Sequence, residues 1–334
     1  MSGSPRSDAD LATALAPDLQ RLEDERCAVL ARTGSVFRKL GIGGAIGLGA
    51  AALLAAIGEG RTPPAAYPGV IAIALVVAAA IHFGIKRSRL AAFAGQYKQR
   101  VIGRIVQELY PNVHYRPHQG VSQATFGSSR LHPHSPDRYH AEDGFRGRIG
   151  ATDVHLSEVK AQYRQTTTDS KGRTQTRYVT YFRGVFLVAD FHKEFTSTVR
   201  VLPDRAERLL GRFGRALQGF HPFSAEKLVY LEDPEFEKQF VVYGSDDVEA
   251  RYLLSTSMAR RILDLKKAWG GEVRVSLLGS NIHVAISHKQ DMFEPDVTRP
   301  VNNETYVHTL VGEIRSCLGI VDDLNLNTRI WSKE

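Results

Sequence analysis

Two uncharged, apolar runs constrain this chain more than any other feature. Leu40 to Gly58 holds no charged residue and is bounded by Lys39 and Glu59. Thr62 to Ile85 holds none between Arg61 and Lys86, and its continuous apolar part starts near Pro68. Each run is about the 18–20 residues that an α-helix needs to cross the hydrocarbon core of a bilayer. A soluble helix of that length normally keeps a polar face. The segment ahead of the first run, about 39 residues, is too long for the charged start of a signal peptide. The sequence therefore predicts transmembrane helix 1 over 40–58, a short external turn over 59–67 and transmembrane helix 2 over 68–85.

The flanks orient this hairpin. Arg32, Arg38 and Lys39 precede it, and Lys86, Arg87, Arg89, Lys98, Arg100 and Arg104 follow it. Basic residues stay on the cytoplasmic side, so both termini and the remainder of the chain are expected in the cytoplasm. Gly43, Gly47, Ala51 and Ala55 share one helix face, as do Ala74 and Ala78 on the second helix. Small residues at this spacing let two helices approach closely in lipid. The net charge of +7 looks like a nucleic-acid signal until it is divided. Residues 1–110 hold 13 Lys and Arg against 8 Asp and Glu. The rest is nearly neutral and has no basic stripe interleaved with aromatics, so no nucleic-acid partner is expected. Membrane lipid is the expected partner of the basic flanks. Both cysteines, Cys27 and Cys317, fall on the reducing side, so no disulfide is predicted.

Along the chain, residues 1–10 read as a disordered tail and 11–39 as a juxtamembrane helix with a stripe of Leu11, Leu15, Leu19 and Leu22. Leu90, Phe93, Tyr97, Val101, Ile105 and Leu109 extend the second span into a helical stalk over 86–110, giving one helix from near Pro68 to Tyr110. The two cytoplasmic helices are expected to pair, with a basic helix lying on lipid as the alternative. The fold class beyond residue 111 is α+β. His114 to Arg146 reads as loop with short elements. Strand-like stretches follow over 145–149, 152–164 and 178–191, the last two joined by a polar hairpin with a turn at Lys171-Gly172. Ser255 and Gly270 bound a helix, Val273–Leu277 and Ile282–Ile286 form a hairpin, and Asn303 starts a last helix ended by Gly319. The pattern divides into lobe 1 over 111–220 and lobe 2 over 221–334.

Chemistry is sparse. His132, His134 and His140 with Glu142 could ligate a divalent metal for a hydrolase. Their spacing fits no helix-borne zinc pattern, and Pro133 and Pro136 dictate an irregular loop. The bland reading is a solvated His-rich loop beside a hydrogen-bond network of Asp137, Arg138, Tyr139, Glu142 and Asp143. His192 beside Asp190 reads as a surface turn. Glu249 and Arg251 fit a charged first helical turn. No nucleophile elbow, kinase set or EF-hand loop is present. A catalytic residue is not assignable, and no cofactor is expected.

Taken together, several segments carry a resemblance. They include Asp137-Arg138-Tyr139 with Glu142-Asp143, Ser157-Glu158-Val159, and Arg183-Gly184-Val185-Phe186 with Ala189-Asp190-Phe191. The densest stretch is Leu231 to Tyr243, followed by Glu249-Ala250-Arg251-Tyr252, Phe293-Glu294-Pro295 and Leu324 to Trp331. The chain resembles the bacterial membrane proteins grouped as the domain-of-unknown-function 3137 family. The resemblance implies an inner-membrane protein with a cytoplasmic domain and implies no activity. The expected function is a non-enzymatic, membrane-anchored interaction module that binds a protein partner or forms a homo-oligomer. A metal-dependent hydrolase and an anionic-lipid sensor are the alternatives.

Overall fold

The structure is a computed structural model that describes residues 11, 13–32, 41, 67–204, 226–296 and 299–327. The chain divides into two compact units. Described residues within 102–293 and 309–334 form one, and those within 7–101 and 294–308 form the other.

The larger unit is built on a nine-stranded sheet. Its strands are β1 (Val113–Arg116), β2 (Arg138–Ile149), β3 (Thr152–Thr168), β4 (Thr174–Asp190), β5 (Val199–Pro203), β6 (Lys227–Val229), β7 (Phe240–Gly244), β8 (Val273–Leu278) and β9 (Asn281–Ser287). The spatial order is β1-β2-β3-β4-β9-β8-β5-β7-β6, and the neighbouring strands pair antiparallel. The α+β class and its antiparallel sheet thus follow the sequence pattern. Strands from before and after residue 220 are neighbours, β4 with β9 and β5 with β8. The two expected lobes therefore share one sheet.

The long β3–β4 hairpin forms because its turn is chemically prescribed. Asp169 Oδ1 accepts from the backbone N–H groups of Lys171 (2.9 Å) and Arg173 (2.8 Å), and Gly172 sits at φ +75°. This is the Asx-type turn that Asp and Gly favour. The segment 114–146 is more ordered than its Pro, His and Ser content suggests. It holds β1, a short helix (Gln123–Ser128) and most of β2. Polar residues there alternate outward while Val113, Tyr115, Phe126, Leu131 and Phe145 turn inward. On one sheet face, Val121, Phe126 and Leu131 pack with Val159, Ala161, Phe182 and Phe186 in a continuous core.

The helix Thr256–Trp269 matches its expected bounds. Ser255 Oγ accepts from Met258 N–H (3.4 Å), and Gly270 closes the helix at φ +63°. The last helix, Glu304–Asp323, runs past the expected stop at Gly319. Leu318, Ile320 and Val321 are all buried, and their packing outweighs the roughly 1 kcal/mol that a helical glycine costs.

In the smaller unit, a helix over 13–32 buries Leu15, Leu19 and Leu22 as its spacing predicts. The helix Tyr67–Tyr97 continues into a π-helical turn, Lys98–Ile102, whose last residue belongs to the larger unit, as does the helix Gly103–Leu109 that follows in the chain. The expected single helix is therefore interrupted by one π turn. Arg100 Nη1 meets Glu25 Oε1 at 2.9 Å, joining the π-helical turn to the helix over 13–32. Val301 N–H and Arg26 both donate to Glu23 (2.9 Å and 2.6–2.9 Å), whose carboxyl is lowered to about 2, chiefly by Arg26.

Among the described residues no helix is long and apolar enough to cross a membrane. Residues 42–66, with Gly43, Gly47, Ala51 and Ala55, lie outside the described residues. The side chains of Ala74 and Ala78 do as well. Along the helix Tyr67–Tyr97, Val76 (68%), Val77 (50%), Ile81 (50%) and Phe83 (66%) are exposed.

Candidate functional site

The chemistry of the larger unit concentrates where β2, β3 and β4 lie side by side. Register shifts in β2 between Glu142 and Phe145, and the bulge places Asp143 in the left-handed region at φ 52°. A side chain at the next position, Gly144, would put a Cβ 2.2 Å from the Gln119 carbonyl, so the bulge admits only glycine there. Asp143 is fully buried and accepts a hydrogen bond from the Tyr115 hydroxyl. Its own N–H donates to the Pro117 carbonyl (3.0 Å).

Glu158 lies on β3 opposite Glu142. It is 6% exposed, and its Oε2 accepts from Met292 N–H at 3.0 Å. Burial raises its carboxyl to about 8, with further push from the charges of Asp291 and Asp143. Asp291, half exposed, takes the Arg183 guanidinium from β4 and is held below the usual carboxylate range by it. On the last helix, Glu313 accepts from Phe293 N–H (3.3 Å), and burial raises its carboxyl. The fully buried Cys317 thiol, also raised by burial, lies near both Glu313 and Glu158. The arrangement can hold and exchange a proton. Asp143, Glu158 and Arg183 come from three separate sequence motifs, and the strands bring them together.

Glu158 and Asp291 were not singled out chemically in the sequence. A signal for Glu158 existed, because strand periodicity places it on the same face as the buried Val154 and Leu156.

The His-rich loop is arranged differently from a metal centre. His132 stacks on Phe126 (centroids 5.3 Å, 17°) and meets Tyr181 and Phe182 edge-on or tilted. Burial holds its imidazole well below the usual value. His134 stacks on Tyr163 (4.8 Å). These residues line an open cleft of about 190 Å³ with Phe126, Arg130 and Ser135. His140 instead contacts Glu142 on β2 at 3.3 Å. Among the described residues, no three of His132, His134, His140 and Glu142 converge to ligating distance.

The proposed network residues are dispersed as well. Asp137 Oδ2 accepts from Arg164 N–H (2.7 Å), the Arg138 guanidinium lies 3.4 Å above the Tyr178 ring, and the Tyr139 hydroxyl donates to the Val121 carbonyl (2.7 Å). Each pins a separate point of the sheet. Glu249 accepts from Ser197 N–H (2.8 Å), while Arg251 pairs with Asp247 (3.1 Å). His192 contacts Asp190 at 3.0 Å and Thr152 at 3.2 Å.

A second surface lies at the β6 end of the sheet. Tyr230 (63%) and Leu228 (38%) are exposed on and beside this edge strand. Val248 (78%) and Tyr252 (52%), one turn apart on the helix Asp247–Leu253 that packs beside β6, are exposed too.

Comparison with curated proteins gives no match. Among solved structures, the crystal structure of the mycobacterial trehalose monomycolate transport factor A, TtfA, aligns with a TM-score of 0.32 and 11% identity. The alignment covers 66% of this chain and 96% of that one, a likeness too distant to carry an argument. Residues 180–326, from mid-β4 through the last helix, match the family described as "Protein of unknown function (DUF3137)", the family that the sequence resembles.

Proposed function

We propose that this protein is a membrane-anchored module whose α+β domain binds a protein partner at the cytoplasmic face of a bacterial inner membrane. The observation that carries the anchor is the exposure of Val76, Val77, Ile81 and Phe83 along a helix that stays uncharged to Ile85. Leaving such side chains in water forgoes roughly 1.5–3 kcal/mol each, and lipid would recover it. Lys86, Arg87 and Arg89 follow at once, where a cytoplasmic headgroup region would receive them. Gly43, Gly47, Ala51 and Ala55 would pack transmembrane helix 1 against Ala74 and Ala78 of helix 2.

The partner-binding reading draws on the exposed Leu228, Tyr230, Val248 and Tyr252 at the β6 end of the sheet, since exposed apolar side chains rich in tyrosine mark interaction sites. The partner is a protein surface with an apolar centre, which a second copy of this chain would also offer. The experiment is fractionation of cells expressing the full chain. The protein should stay in the membrane pellet through high salt and alkaline carbonate. A double variant, Val248→Glu with Tyr252→Glu, should remain there yet lose its cross-linked partner band. Release into the supernatant by salt or carbonate would overturn the anchor, and an unchanged cross-linking pattern would overturn the partner surface.

A further inference from the structure

Met292, next to Asp291 in the chain, donates its N–H to Glu158 Oε2 at 3.0 Å, and this brings the Asp291 carboxyl near that of Glu158. Asp291 is close enough to hydrogen-bond Glu158. Glu158 Oε2 is occupied by Met292 N–H, while Oε1 is sealed from solvent and meets no hydrogen-bond partner among the described residues when it is ionised. Two carboxylates at this range do not both ionise readily, and one proton is shared between them. Asp291 is the half-exposed member and carries the Arg183 guanidinium, so it keeps the charge. The neutral acid then belongs at Glu158, whose Oε1 becomes a donor and gains the partner it lacks.

We propose that Glu158 and Asp291 form a proton-binding site that fastens the segment 288–293 over β3, and that loss of the shared proton releases this segment. In the closed form the Glu158 O–H donates to the Asp291 carboxylate. On opening, that O–H bond breaks, its electron pair stays on Glu158 Oε1, and the proton passes to hydroxide or a buffer base. Two carboxylates then confront each other across a single guanidinium. Release would uncover Met292 and Phe293, which are 5% and 2% exposed; the Phe293 ring packs 5.3 Å from that of Phe145.

The surrounding charges favour the neutral acid. From β2, Asp143 and Glu142 both oppose a charge on Glu158. From the last helix, Glu313 and the Cys317 thiol lie near the same point, with His288 facing Glu313. The cationic groups, Arg183 on β4 and Lys160 on β3, face Asp291. Arg183 also lies near Glu158 and Glu142.

The test is hydrogen–deuterium exchange on the full chain in detergent, from about pH 7 to about pH 9, corrected for intrinsic exchange. Protection of 288–293 should fall about tenfold per pH unit above the midpoint, while β9 keeps its protection. In Glu158→Gln the protection should not depend on pH. In Asp291→Asn, at a half-exposed position, the midpoint should move to lower pH because the opposing charge is gone. A measurement on the unmodified protein stands beside these: peroxide oxidation of Met292 should accelerate over the same range relative to Met258. Constant protection of 288–293 across the range, or a constant ratio of Met292 to Met258 oxidation, would overturn the proposal.

Discussion

Arg200 and Glu226 meet at 2.6 Å with only 2% and 3% of their side chains exposed, one from β5 and the other immediately before β6. Burial pushes the Arg200 guanidinium down and the Glu226 carboxylate pushes it back up. Both Nε and Nη2 of Arg200 reach Glu226 Oε2 at 2.6 Å. Glu226→Ala would leave a buried cation without its counter-charge. Removing one partner of such a pair costs about 3–5 kcal/mol. Denaturant unfolding of the full chain should show a loss of that size, larger than that of Asp247→Ala, which breaks an exposed pair worth about 1 kcal/mol or less.

Gly184 is the tightest backbone contact in the centre of the sheet. Its φ is +149°, and a Cβ there would lie 2.1 Å from the Ile286 carbonyl oxygen and 2.7 Å from the His288 amide nitrogen. Both obstacles are backbone atoms of β9 or the residue after it, which cannot swing aside. Gly184→Ala should therefore destabilise by about 2–3 kcal/mol or more. Gly172→Ala, whose Cβ meets nothing within 4 Å, should cost less, since only its positive φ resists the change. Thermal unfolding of the two variants side by side checks the order.

Glu158 gives a pH dependence with a definite sign. Its carboxyl is raised in the folded protein to about 8, against 4.5 ordinarily. Between these values the unfolded chain has lost the proton while the folded one keeps it. The contribution is therefore fully present below about pH 4.5 and is lost as pH rises through about 8, with a slope of at most about 1.4 kcal/mol per pH unit. Glu158→Gln removes this term. The stability difference, variant minus parent, should rise steadily from about pH 5 to about pH 8 and then level off. A difference that stays flat across that range would contradict the neutral acid.

His132 carries the opposite sign. Burial among Phe126, Tyr181 and Phe182 lowers its imidazole, and Arg274 and His134 add to the effect. Its contribution is present above the ordinary histidine value and is lost as pH falls below that value. His132→Phe keeps the stacked ring and deletes the titration, so its melting temperature should drop less on acidification from about pH 7 to about pH 5. Metal content of the purified chain should be the same before and after His134→Ala, since the structure spends that ring on Tyr163.

These sites show what periodicity and capping can and cannot convey. The helix Thr256–Trp269 was legible because Ser255 and Gly270 specify its ends locally. The leucine stripe at 11, 15, 19 and 22 was legible because one buried face repeats along the helix. The first part of β2 was hidden, because its hydrophobic alternation is broken at the Asp143 bulge and its outward face is polar, whereas 145–149 was legible as a strand. The joining of both halves into one sheet was hidden for a different reason. Pairing of β4 with β9 brings Gly184 to Ser287 across about a hundred residues, and no local signal encodes it. The same holds for the Glu158–Asp291 contact. Glu158 reveals its burial by strand period, but its partner arrives through the turn after β9.

Cys27 tests the membrane anchor without any substitution. Cys27 is exposed and Cys317 is buried, so a membrane-impermeant maleimide should find one thiol in the folded chain. Membrane vesicles are prepared in both orientations from cells making the full protein. Cys27 should be labelled in inverted vesicles, whose cytoplasmic face is outward, and not in right-side-out vesicles until detergent is added. Labelling of Cys27 in intact right-side-out vesicles, or recovery of the protein outside the membrane fraction, would contradict it.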